Sequence, residues 1–219
     1  MSHGTTSAPS SHVYDCEKWT QIEINNFQGQ APKMETMKNL EEVVLSLDWK
    51  RSSMKDLISV CQKCRNEKSL VHANSIYMHV KSKGLSEDLG NYIVPMFVEC
   101  GSLCDAQRAF DKLNHRNEFS WCSLLKGYFD QGDFHQVLHI FEEMHASGIP
   151  QSRHSLLTPL KACSKLKSIE KARFIHNVIY KEGLEDDLII GNTLVDMYAK
   201  CGSPLDAVEV FGKLHDRDV

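Results

Sequence analysis

An all-α fold, a solenoid of about five stacked helix-turn-helix units, is predicted by three features of the sequence. FVECGSLCDAQRAFDKL (residues 97–113) and YAKCGSPLDAVEVFGKL (residues 198–214) run in register without a gap and share Cys-Gly-Ser, Asp-Ala, Phe and Lys-Leu. Apolar residues recur at three- and four-residue spacing from residue 37 onward, the period of amphipathic helices. Gly101, Gly132 and Gly202 fall between successive amphipathic segments, where a helix must end in a tight turn. Two short helices cannot bury enough apolar surface alone, so such hairpins must stack, each covering its neighbour's face.

The elements follow in chain order. Residues 1–36 read as a flexible segment: MSHGTTSAPSSHVY is Ser/Thr-rich without an acidic residue, as at the front of a transit peptide, yet it lacks arginine, and Asp15, Glu17 and Glu23 follow. Residues 37–53 read as a capping helix or partial repeat, in which Leu40, Val43, Val44, Leu47 and Trp49 form a stripe able to cover the first full hairpin. Five hairpins then tile the chain as 54–86, 87–117, 118–152, 153–187 and 188–218. The first and fourth align when Cys64 is set on Cys163 and Gly84 on Gly183.

The last hairpin shows the logic in detail. Leu194, Met197 and Tyr198 line one helix, and Gly202 ends it. Ser203 caps the next, with Pro204 at the first helical position and Asp206 closing an S-x-x-D box. Its apolar stripe is read as Leu205, Val208, Phe211 and Leu214, widened by Ala207 and Val210, with Asp206, Glu209 and Lys213 off it.

Composition limits the function classes. A 219-residue chain with 42% hydrophobic and 25% charged residues is an ordinary globular mixture, and no apolar run approaches the length of a membrane span. With a net charge of −4, any nucleic-acid binding must come from a local groove rather than from bulk charge. The eight cysteines read as reduced, packed thiols, with Cys100, Cys163 and Cys201 at equivalent turns. Cys61-x-x-Cys64 has zinc-ligand spacing, but no second pair completes a site, and a turn holding two small buried thiols is the alternative. His135 and His139, four residues apart, read as one mixed surface face of a helix. No cofactor or metal is expected.

The period fits both tetratricopeptide and pentatricopeptide repeats, and the wording arbitrates. No hairpin supplies the Trp, Leu-Gly and Tyr of a tetratricopeptide first helix. GNTLVDMYAKCGSPLDAVEVFGKLHDRDV from Gly191, NEFSWCSLLKGYFDQGDFHQVLHIFEEMHASGI from Asn117 and LLTPLKACSKLKSIEKARFIHNVIYKEGL from Leu156 resemble the S, P and L motifs of plant pentatricopeptide repeat proteins of the PLS subclass. The five hairpins then read L, S, P, L, S in a right-handed α-solenoid, a short form lacking the C-terminal extension and deaminase domains. His176 falls where L motifs commonly carry a packed histidine.

The resemblance implies sequence-selective binding of single-stranded organellar RNA, with RNA-processing or C-to-U editing enzymes recruited in trans and neither DNA nor a membrane as partner. It places the chain in a mitochondrion or chloroplast. One polar residue early in a first helix and the last residue of its repeat would read one base, which here gives Asn91 with Asn117, Cys122 with Ser152, and Asn192 with Asp218. An Asn–Asp pair implies uridine and an Asn–Asn pair a pyrimidine, leaning to cytidine. An amide offers both a donor and an acceptor to a base edge, whereas a thiol bonds weakly. Phe119 and Ile189 would sandwich bases, where Asp88 would instead repel phosphate. Ile58 and Leu157 cannot read a base edge, so the L repeats brace the array. Single-strand deaminases need H-x-E with P-C-x-x-C to activate a zinc-bound water, and no histidine here is followed by x-Glu, so no enzymatic activity is expected. Two other readings stay open: a solenoid that binds a protein helix, and a fragment of a longer editing factor.

Overall fold

The computed structural model describes residues 40–48 and 51–215. These form eleven helices: α1 (Leu40–Ser46), α2 (Met54–Glu67), α3 (Leu70–Ser82), α4 (Ser86–Glu99), α5 (Leu103–Asp111), α6 (Glu118–Asp130), α7 (Phe134–Ala146), α8 (Arg153–Leu166), α9 (Ile169–Lys181), α10 (Leu188–Lys200) and α11 (Pro204–His215). The expected all-α fold and its ten helices from residue 54 onward are present. No strand occurs among the described residues.

The first helices of the pairs pack in sequence, α2 on α4, α4 on α6, α6 on α8 and α8 on α10. The second helices pack against first helices on either side, and long side chains bridge one second helix to the next. Lys171 pairs with Glu142, Arg173 Nη2 lies 3.0 Å from Asp206 Oδ2, and Phe141 meets Phe174 edge-on at 6.4 Å. A continuous core runs the length of the stack, from Leu40 and Val43 through Val60, Phe97, Trp121, Phe141, Leu160 and Ile179 to Met197 and Val210.

The repeated wording corresponds to repeated contacts. Gly101 and Gly202 end α4 and α10 at φ +84° and +79°, a region nearly closed to other residues, and the N–H of the following serine bonds to the carbonyl of Phe97 or Tyr198. Gly90 and Gly191 are small because Leu113 and Leu214 approach them. A Cβ on Gly90 would overlap Leu113 Cδ2, and one on Gly191 would stand 2.5 Å from Leu214 Cδ2. The shared Lys-Leu is thus half of a contact whose other half is a glycine in the helix before. Gly90→Val should cost about 1 to 3 kcal/mol by overpacking. Denaturant titration of the variant checks this, and an unchanged midpoint would refute the contact's importance.

The junction between the first and second hairpins recurs between the fourth and fifth. Tyr77 packs edge-on against Phe97 at 5.4 Å. At the equivalent place His176 meets Tyr198 at 5.6 Å, and its Nδ1 lies 2.8 Å from the tyrosine hydroxyl. Partial burial lowers the His176 pKa, with Lys213 acting in the same direction. The ring is therefore a packing element, as expected. His135 and His139 are exposed on α7, and His139 lies 3.7 Å from Glu143.

Three local expectations are corrected. Cys61 and Cys64 lie buried inside α2, and Cys163 inside α8, rather than in turns, because both helices continue until Lys68 and Lys167 close them in left-handed backbone at φ +52° and +54°. Cys163 therefore corresponds to Cys64, while Cys100 and Cys201 are the C-caps that stack above them: Cys64 Sγ lies 4.0 Å from Cys100 Sγ, and Cys201 Sγ lies 3.6 Å from the Cys163 carbonyl. Last, the buried side of α11 is Ala207 and Val210, with Leu214 half-buried, whereas Leu205, Val208 and Phe211 are 84%, 69% and 56% exposed. Periodicity finds both apolar flanks of a helix but cannot say which one a neighbour covers. In α5 the corresponding flank lies against α6, and Phe110 is covered by Trp121 at a centroid distance of 4.6 Å.

At the other end α1 packs on α2 and α3, burying Leu40, Val43 and Val44 and half-burying Leu47. Its backbone N–H at Leu40 reaches Glu67 Oε2 at 3.4 Å. Trp49 lies outside the described residues. Deleting residues 37–50 should expose the α2–α3 face, lower the thermal midpoint and promote aggregation. A truncated chain that stays monomeric with an unchanged midpoint would refute the capping role.

Candidate nucleic-acid interface

The first helices α6, α8 and α10 begin alike, each start fixing a polar side chain, whereas α4 begins at Leu85 without a side-chain cap. Asn117 caps α6, accepting from Ser120 N at 2.9 Å. Ser152 caps α8, accepting from His154 N at 3.1 Å, and its hydroxyl donates to Glu118 on α6. Asp187 caps α10, accepting from Ile189 N at 2.9 Å and Ile190 N at 3.1 Å, with Arg153 Nε at 2.5 Å. Desolvation alone would raise the Asp187 pKa, but these donors outweigh it and hold the carboxyl below its usual range. In the second, third and fourth hairpins the last residue is thus the N-cap of the next, which pins its side chain at the boundary between two first helices.

Asn91 and Asn117 are brought together. Asn117 N donates to Asn91 Oδ1 at 3.3 Å, and Asn91 Nδ2 donates to the His115 carbonyl at 3.4 Å. Both amides are thereby oriented before any ligand arrives. Cys122 and Ser152 are linked less directly, through Glu118, which lies one turn before Cys122. Burial, aided by the Glu118 carboxylate, pushes the Cys122 thiol up to about 12, so it stays protonated at neutral pH. Asn192 is exposed on α10, whereas Asp218 lies outside the described residues. Phe119 is 48% exposed, and Ile189 is exposed on the first turn of α10.

Of these residues Phe119 and Cys122 open onto a groove of about 500 Å³ lined also by Pro95, Val98, Lys126 and His154, with Arg65, Glu99, Glu118 and Ser123 completing it, whereas Asn91, Asn117, Ser152, Ile189 and Asn192 do not line it. The lining follows from helical geometry, since Phe119, Cys122, Ser123 and Lys126 stand at three- and four-residue spacing on one face of α6. Pro95 lies inside α4 and lacks an N–H, so the Asn91 carbonyl loses its intrahelical donor at the groove's edge. Lys126 is held between Glu99 at 3.2 Å and Asp130 at 3.1 Å. An exposed aromatic face, oriented amides and mixed charge can stack and hydrogen-bond a flat heteroaromatic ring.

Arg65, Lys126, Glu118 and His154 were missed by sequence reasoning. His154 holds the same place after its cap as Phe119 does, so extending the repeat register to the fourth hairpin finds it. Arg65 continues the Ile58–Gln62 face of α2 by one turn, and nothing in the repeat wording marks it. Among the described residues no group of three or more His, Cys, Asp or Glu is placed to hold a metal ion.

Stacked helical hairpins with a polar, aromatic-bearing groove along α2, α4, α6 and α8 define a helical-repeat protein. The PPR repeat family matches residues 119–149 and 192–219. A putative pentatricopeptide repeat-containing protein of Arabidopsis thaliana is 33% identical over 77% of this chain and 24% of its own length. A mitochondrial relative from the same plant is 32% identical over 68% of this chain and 14% of its own. A chloroplastic one is 32% identical over 74% and 24%. The chain is a pentatricopeptide repeat protein, and it spans about a quarter or less of the length of these relatives. The crystal structure of the pentatricopeptide repeat protein PPR10 in complex with an 18-nt psaJ RNA element superposes with a TM-score of 0.55 at 18% identity, over 84% of this chain and 30% of that one, which shows the shared fold.

Proposed function

We propose that the chain binds single-stranded RNA sequence-selectively along its first-helix groove, lending specificity to processing or C-to-U editing enzymes recruited in trans. The observation that carries this reading is the oriented Asn91–Asn117 pair beside the exposed Phe119 face, since single-strand readers stack a base on an aromatic and bond its edge with fixed polar groups. The complex of PPR10 with RNA supports it by analogy of fold. In this reading the hairpins run L, S, P, L, S as in the PLS subclass. Asn91 with Asn117 reads a pyrimidine, and Asn192 with Asp218 a uridine. Cys122 with Ser152 leaves its base unspecified, while Phe119 and Ile189 stack bases. Ile58 and Leu157 are half-buried and apolar, so the L repeats space the array. Mitochondrial and chloroplastic relatives favour an organellar site of action.

Selection from a random single-stranded RNA pool at one fixed salt concentration tests the reading. An enriched motif with pyrimidines at two fixed positions is expected. A pool that shows no enrichment would contradict it. A second reading, a scaffold for a protein helix, draws on the exposed Leu205 and Val208 of α11, and capture of a helical partner without RNA affinity would favour it.

A further inference from the structure

Arg65 stands in the groove without belonging to any base-reading position. It extends the Ile58–Gln62 face of α2, yet its guanidinium reaches past α4 to the ring of Phe119 on α6, with Cζ 5.7 Å from the ring centroid. Arg65, Phe119 and Pro95 together stand between the 500 Å³ groove and a second hollow of about 170 Å³ lined also by Cys61, Gln62 and Tyr92. The other ammonium or guanidinium cation lining the groove, Lys126, is neutralised by two carboxylates. Arg65 is different: among the described residues no carboxylate lies within ion-pair distance of it, and the ring face is its partner.

A half-exposed ring holds a cation only weakly, whereas a guanidinium binds a phosphate through two parallel charge-assisted hydrogen bonds. Arg65 occupies one face of the half-exposed ring, so a base that stacks on that face must displace it. The displaced guanidinium then has an anion within reach, because every stacked base carries a phosphate beside it.

We propose that Arg65 is a phosphate-binding residue parked on the Phe119 ring: as a base takes the ring, the guanidinium transfers to the backbone phosphate of the same strand. The inference rests on the RNA-binding reading above and adds a contact that joins the first and third repeats across the second. It makes stacking at Phe119 and charge neutralisation one coupled event, so the ring's contribution depends on salt.

The test measures binding of fluorescein-labelled random-sequence single-stranded RNA from about 50 to 200 mM salt, where each phosphate contact to a single strand adds about 0.7 to the logarithmic salt slope. Arg65→Gln should flatten the slope by that amount, so that its affinity deficit is about threefold larger at the low-salt end than at the high-salt end. Arg65→Lys, which keeps the charge, should retain the slope. Arg51→Gln, an exposed residue outside the groove, should leave it unchanged. An unaltered slope for Arg65→Gln alongside wild-type binding overturns the proposal. Tighter binding with the wild-type slope overturns it too, by showing that Arg65 only blocks the ring. No salt-dependent binding by the wild-type chain would overturn the RNA reading itself, and this inference with it.

Discussion

Phe110→Ala should lower the unfolding free energy by about 3 to 5 kcal/mol, the range for emptying an aromatic site in a packed core. Phe211→Ala, the same change at the equivalent position of the last hairpin, should cost less than about 1 kcal/mol, in the range of surface substitutions. The two phenylalanines occupy identical wording, and only their surroundings differ. Phe110 is 2% exposed, packs edge-on against Trp121 and lies 4.6 Å beneath the Arg116 guanidinium. Its removal forfeits transfer energy, an aromatic pair and a cation–π contact, and leaves a cavity between α5 and α6 that stiff neighbours cannot fill. Phe211 has more than half of its surface in water already. Paired chemical denaturation of the variants checks the contrast. Equal losses would mean that the α11 flank is buried in solution, against the arrangement described.

Phe119→Ala should separate binding from folding. The ring is almost half exposed, so its loss should change stability by no more than about 0.5 kcal/mol. Affinity for single-stranded RNA should fall by about 1 to 3 kcal/mol, the worth of one base stacked on an aromatic. The loss should be greatest at low salt if Arg65 engages phosphate only once a base displaces it. Binding isotherms and thermal melts on the same preparation decide it. A variant that melts early and binds normally would place Phe119 in the structural core instead of the interface.

Much of this was legible from residue order. The repeated sentence at residues 97–113 and 198–214 became repeated contacts, because a glycine that ends a helix and a glycine that admits a leucine can each be filled by little else. The S-x-x-D pattern at Ser203 forms a side-chain bond, the hydroxyl donating to Asp206 at 2.8 Å, and Ser102 donates likewise to Asp105 at 2.6 Å without a side-chain bond to the backbone of α5. Helical spacing also found the α1 stripe. It could not decide which flank of α11 is covered, since burial depends on a neighbour and not on the helix's own period. The turns after α2 and α8 were misplaced because a lysine in left-handed backbone carries no glycine signal.

The interface was half legible. Register proposed Asn91, Asn117, Phe119, Cys122, Ser152, Ile189 and Asn192 from a fixed offset at each helix start, and their contact with a base remains a proposal. Their engagement was not visible: that Asn91 bonds to the backbone of the next hairpin's entry, or that Ser152 caps α8 while donating to Glu118, follows from how hairpins stack. Arg65 escaped for the same reason, since its partner lies two first helices away.

Base reading itself is tested most directly at Asn192. Wild-type protein and Asn192→Thr are titrated with four single-stranded RNAs that differ only at the base assigned to the last hairpin, all at one salt concentration. The wild type should prefer uridine, and the threonine variant should shift toward a purine, because a shorter hydroxyl leaves room for the larger base and replaces the amide's donor–acceptor pair. Its affinity for the uridine RNA should fall by about 1 to 3 kcal/mol, the cost of leaving a desolvated base group unpaired. Equal affinity of the wild-type chain for all four RNAs would contradict base reading by this protein.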